Sequence, residues 1–122
     1  MSGTVRFIGV VEKVEGDYST ISIYPEYAPG LDGLDQYKRL YILYWLNQAD
    51  NPTQRVTLRV IPRRHGATEE RGVFATHSPH RPNPIGLTTV DLLNIEGNKL
   101  LVHGLDAFKG SPIVDIKPEE HA

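Results

Sequence analysis

The stretch FATHSPHRPNPIGL, residues 74 to 87, constrains this chain more than any other part of its sequence. Pro79, Pro82 and Pro84 each lack a backbone N–H and fix their own φ, so neither a regular helix nor a central strand can run through them. Each proline also drives its predecessor toward extended backbone, here Ser78, Arg81 and Asn83. The outcome is a stiff segment carrying polar side chains at fixed spacing between apolar flanks. It is either a rigid connector or a preformed binding surface.

Around it the chain reads as mostly β. Residues 5–14 (VRFIGVVEKV) are rich in β-branched side chains and lack helical periodicity. After a turn at Gly16-Asp17, residues 18–24 alternate Ile21 and Ile23 against polar neighbours. Leu31, Leu34, Tyr37 and Leu40 recur every three residues, which predicts a short helix or helical turn ending near Arg39. Residues 41–46 (YILYWL) predict a strand buried on both faces or lying in an interface. Residues 54–61 put Val56, Leu58 and Val60 on one face, the pattern of a half-buried strand. The following RRHGATEE is a polar loop without core residues, and residues 72–76 lead as a strand into the proline segment. Residues 87–95 and 99–102 flank Glu96-Gly97-Asn98, a hairpin signal, and residues 113–116 suit a last strand. Roughly seven short strands at this spacing predict an antiparallel barrel or sandwich.

A length of 122 residues suits one domain, residues 1–122, with no internal repeat or linker. The absence of cysteine excludes disulfides, thiolate metal sites and cysteine nucleophiles. No run approaches the apolar length of a membrane span, and the N-terminus lacks a signal-peptide core, so a soluble, cytoplasmic protein is expected. Charge is unevenly spread. Residues 55–81 hold six arginines against two glutamates, although the whole chain has a net charge of −2. Arginine suits bidentate phosphate contact and stacking on bases, which points to an anionic partner for one face; the alternative is the solvent side of a strand.

His77 and His80 have metal-ligand spacing, but no further ligands accompany them, so no metal is expected. Ser78 sits outside a nucleophile elbow, and no phosphate-cradling glycine loop occurs. Asp106 follows an apolar strand and precedes a turn. It either grips hydroxyls or an ammonium of a ligand, or it caps the turn.

The strings GVFAT (72–76), RPNPIG (81–86), Leu105-Asp106, Gly110-x-Pro112 and DIKP (115–118), with Ser78 between the first two, appear in order. Together they resemble the TrmO-type (TsaA-like or YaeB-like) family of tRNA N6-adenosine methyltransferases, from about Leu34 to Pro118. The resemblance implies a mainly β fold: a single-sheeted antiparallel β-barrel with one short helix or helical turn. It also implies S-adenosyl-L-methionine as cofactor, a homodimer, and methylation of N6 in threonylcarbamoyl-adenosine at position 37 of the tRNA anticodon stem-loop. Cofactor contacts then fall on Gln48, His77, Leu87, His103, Gly104, Leu105 and Asp106. Asn83 and Asp106 become the catalytic candidates, and Arg63, Arg64, Arg71 and Arg81 the RNA contacts. Three departures are visible: His77 where the family has arginine, Asn47 where a histidine often stands, and no P-R-Q string near the N-terminus. They motivate the alternatives of a non-catalytic barrel that holds an adenosyl ligand or a partner, and of a methyltransferase for another acceptor.

Overall fold

Alternating burial organises the strands seen in the computed structural model, which describes residues 1–62, 66 and 68–120. Eight strands occur among the described residues: β1 (Gly9–Glu15), β2 (Tyr18–Ile23), β3 (Arg39–Trp45), β4 (Arg59–Val60), β5 (Arg71–Gly72), β6 (Ile85–Glu96), β7 (Lys99–His103) and β8 (Pro112–Pro118). Ile21 and Ile23 of β2, Leu40 and Ile42 of β3, Leu100 and Val102 of β7 and Ile113 of β8 are fully buried. Their strand neighbours are more exposed, as the two-residue period of a strand requires.

The chain divides into two compact units, Met1–Trp45 with Leu87–Ala122, and Leu46–Gly86. In the first unit six antiparallel strands form one sheet in the order β1-β2-β7-β6-β3-β8. The sheet closes on itself because β8 also pairs with β1, through Gly9↔Ile113 and Val10↔Pro112. Two tight hairpins build it, with Gly16 (φ 59) and Gly97 (φ 62) in the conformation that such turns need. Gly9 sits at the seam, paired with Ile23 on one side and Ile113 on the other. A Cβ at Gly9 would fall on the Ser22 carbonyl oxygen and lie 3.0 Å from Ile23 Cδ1.

The second unit holds β4 and β5, paired through Arg59↔Gly72 and Val60↔Arg71, and the single α-helix among the described residues, α1 (Pro52–Arg55). Here the sequence reading needs correction. Residues 54–61 do not form a half-buried strand: Val56 is 74% exposed and Leu58 56%. Asn51 caps α1 by accepting from the Gln54 N–H at 2.9 Å, and Pro52 opens the helix with a preset φ. These local signals outweigh the alternating pattern. Residues 72–76 likewise yield only the end of β5 and then a 3-10 turn, Val73–Ala75.

Two further differences lie in the first unit. The three-residue period of Leu31 to Leu40 gives 3-10 turns, Pro25–Leu31 and Leu34–Gln36, and no α-helix. Pro29 inside the first turn and Gly33 at φ 84 between the two prevent a continuous helix. In β3 the YILYWL run alternates: Ile42 and Tyr44 are buried, whereas Tyr41, Leu43 and Trp45 are half-buried.

Candidate functional site

Antiparallel pairing gathers several strand ends at one end of the closed sheet. β3 finishes beside the start of β8, where Tyr44 pairs with Ile113. β7 finishes at His103, which pairs with Tyr18 at the start of β2 and with Asp91 of β6. The register of β3 against β8 jumps from Leu43↔Asp115 to Tyr44↔Ile113, so Val114 is an extra residue opposite Tyr44. Such a bulge bends the strand that carries it, here β8, and increases its local twist.

Tyr44 is 5% exposed, and a buried phenol requires a hydrogen-bond partner. Its hydroxyl has two. It donates to the Asp106 carbonyl at 2.6 Å and lies 3.0 Å from Thr88 Oγ1. Because the single phenolic proton is committed to Asp106, the Thr88 hydroxyl is the donor in the second bond. Burial pushes the Tyr44 phenol above its usual range and the Asp106 charge adds to the shift, while the Thr88 bond opposes it. The sequence reading passed over both Tyr44 and Thr88; the one available signal was a hydroxyl among the inward positions of YILYWL.

The expected cofactor stretch His103–Asp106 divides in three. His103 points to the outer face, since Val102 before it points inward. There its Nδ1 lies 3.4 Å from Asp91 Oδ2 and its ring packs 5.1 Å from that of Tyr18. Asp91 also accepts from Arg39, which reaches Glu119 as well, so His103 belongs to a row of cross-strand partners. Gly104 turns the chain at φ 92, and its N–H donates to Asp17. Leu105 is half-buried and the Asp106 carboxylate side is exposed. Leu87, beside Thr88, is 53% exposed.

In the second unit the proline segment is held by its own hydroxyls and by two arginines. Thr76 Oγ1 donates to the Val73 carbonyl and accepts from the Ser78 N–H; Ser78 Oγ in turn accepts from the His80 N–H. Arg81 Nη1 donates to the carbonyls of Thr76 (3.2 Å) and Ser78 (2.9 Å), and Arg55 Nε donates to that of Pro82 (2.8 Å). Arg81 therefore shapes the loop in addition to any RNA contact. His80 Nδ1 is buried without a hydrogen-bond partner among the described residues. His77 and Asn83 project outward and are exposed, as are Arg71 on β5 and Gln48 on the turn Asn47–Ala49. Arg63 and Arg64 lie outside the described residues. Arg81→Ala is expected to speed amide exchange at Ser78 and His80 by roughly tenfold, read by hydrogen–deuterium exchange, because two charge-assisted bonds are lost.

Residues 10–120 match the family described as tRNA-methyltransferase O N-terminal domain. An Archaeoglobus fulgidus protein named "S-adenosyl-L-methionine-binding protein" is 50% identical over 99 residues, covering 81% of this chain and 67% of the relative. A Methanothermobacter thermautotrophicus protein named "Probable S-adenosyl-L-methionine-binding protein" is 47% identical over 106 residues, covering 87% and 72%. The crystal structure of TrmO from Pseudomonas aeruginosa superposes with a TM-score of 0.74 at 28% identity over 98% of this chain. The match takes in 57% of that solved chain, so this chain spans a little over half of its length.

Proposed function

The chain belongs to the tRNA-methyltransferase O N-terminal domain family, and on that premise we propose that it binds S-adenosyl-L-methionine and methylates N6 of threonylcarbamoyl-adenosine at tRNA position 37. The observation that carries the reading is the match across residues 10–120, which runs through both compact units and supports treating them as one functional β-barrel domain. The side chains on hand fit the cofactor's chemistry. The exposed Asp106 carboxylate complements an ammonium or ribose hydroxyls, Leu87 offers apolar surface, and Gln48 and His77 offer outward polar groups. Gly104 has nothing within 4 Å of its missing Cβ, which leaves open space beside the backbone.

When bound, the cofactor supplies a methyl group already activated by its sulfonium. The chain's own task is therefore to align the acceptor and exclude water. Gln48, His77, Leu87 and His103 to Asp106 hold the cofactor. N6 of the acceptor carries one hydrogen: Asn83 would accept its hydrogen bond while the base is positioned, and Asp106 would take that same proton as the methyl is transferred. Arg63, Arg64, Arg71 and Arg81 meet the anticodon stem-loop phosphates. Arg71→Ala is expected to weaken tRNA binding and to reduce the salt slope by about one, with cofactor affinity unchanged; filter binding across a salt series reads this.

We also take the protein to be a cytoplasmic homodimer. The exposed Val56, Leu58, Ile61 and Phe74 of the second unit support a covered apolar surface. No helix among the described residues is long and apolar enough to cross a membrane. Light scattering at micromolar concentration tests the dimer, and a monomer there counts against it.

The 50% identical relative is named for binding alone, which favours a second reading: a barrel that holds the adenosyl ligand without transferring methyl to this tRNA. One experiment separates the two. Titrate S-adenosyl-L-methionine by calorimetry, then incubate with tRNA carrying the threonylcarbamoyl group and seek added methyl by mass spectrometry. Binding with methylation supports transfer; binding alone supports the second reading or another acceptor. No binding at millimolar concentration removes both.

A further inference from the structure

We infer that Tyr44 is the positioning residue of the cofactor site, setting the backbone at Asp106 through its hydroxyl. The inference rests on the cofactor reading above. Three observations carry it. The phenol of Tyr44 joins two stretches expected to meet the cofactor, bonding the Asp106 carbonyl directly and Thr88, the neighbour of Leu87 in β6. The bulge at Val114 of β8 lies opposite Tyr44, whose side chain stays inward in line with Leu40 and Ile42 of β3. The residues after β7 run without strand or helix as far as β8, with Gly104 at positive φ, so the Tyr44 bond ties Asp106 down within an irregular stretch.

The chemistry follows from proton count. Tyr44 has one proton, and it goes to the Asp106 carbonyl; Thr88 supplies the second bond by donating to the phenolic oxygen. Burial and the Asp106 charge keep the phenol protonated, so the bond persists throughout the neutral range. A fixed carbonyl at Asp106 fixes its Cα, and thereby narrows the directions available to the carboxylate. Binding then avoids the cost of ordering that turn. Tyr44 acts through Asp106 and is not itself assigned contact with the cofactor.

The test compares Tyr44→Phe, Thr88→Val and a core control, Ile42→Val on the same strand. Calorimetry with S-adenosyl-L-methionine, thermal melting and hydrogen exchange of the ligand-free protein are read for each. Tyr44→Phe is expected to bind the cofactor about tenfold more weakly, through loss of the bond to the Asp106 carbonyl together with the one accepted from Thr88, and to exchange faster from Gly104 to Ala107. Thr88→Val should show the same pattern at a smaller, roughly threefold, effect. Ile42→Val should lower the melting temperature and leave affinity and local exchange unchanged. Wild-type affinity and exchange in Tyr44→Phe overturn the inference, as does an equal affinity loss in Ile42→Val. Should Tyr44→Phe not fold, Thr88→Val decides by the same criteria. Absence of binding by the wild-type protein overturns the cofactor reading itself and this inference with it, a result distinct from binding that ignores Tyr44.

Discussion

Asp106→Ala is expected to weaken S-adenosyl-L-methionine binding by about 10- to 100-fold, the range for removing a charged hydrogen-bonding group from a ligand. The fold should survive, because the side chain is exposed and the bond from Tyr44 uses the backbone carbonyl, which alanine retains. Asp106→Asn keeps the shape and one oxygen acceptor, so its affinity should fall between the two. A second readout needs no ligand. The Asp106 charge helps to raise the Tyr44 phenol, so removing it should move the phenol's spectroscopic titration downward. Equal cofactor affinity in Asp106→Ala and wild type would take Asp106 out of the site, whatever the phenol does.

The largest effect on stability is expected from Gly9→Ala. The added methyl would fall on the Ser22 carbonyl and crowd Ile23, and both belong to the neighbouring strand that pairs with β1. Backbone cannot yield as a flexible side-chain end can. β1 must therefore move away from β2, and Gly9 is also one of only two β1 residues paired with β8. Overpacking of this kind costs about 1–3 kcal/mol, which corresponds to a melting temperature lower by on the order of 10 °C. Gly16→Ala is a useful contrast: that glycine has positive φ and open space, so its penalty is backbone strain alone. If Gly9→Ala melts like wild type, the β1–β8 seam is not tight.

Much of the first unit was legible because its signals are local. The turns at Gly16 and Gly97 need two residues each, and β2, β7 and β8 show their period within a few positions. Where the reading failed, another local signal was stronger than periodicity. Asn51 and Pro52 claimed the residues that alternation had assigned to a strand, and Gly33 cut the apparent helix. The candidate site was legible only in part. The proline segment announced a stiff loop, and hydroxyls and arginines do hold it, yet nothing in the sequence says that Arg81 folds back onto the carbonyls of Thr76 and Ser78. The Tyr44 node joins residues 44 and 62 positions apart. Pairing at that range is decided by strand register, which no single local motif marks.

The second unit has a property that follows from a single bond. Leu46 N–H donates to the Pro84 carbonyl at 2.7 Å, so the first residue of the unit and a residue two before its last are clasped. A segment with clasped ends behaves as a cassette. Residues between the two ends can be added or removed with little change in closure entropy, about 0.6 kcal/mol for each doubling of length. Chimaeras that exchange residues 47–83 among relatives while keeping Leu46 and Pro84 should therefore preserve the sheet.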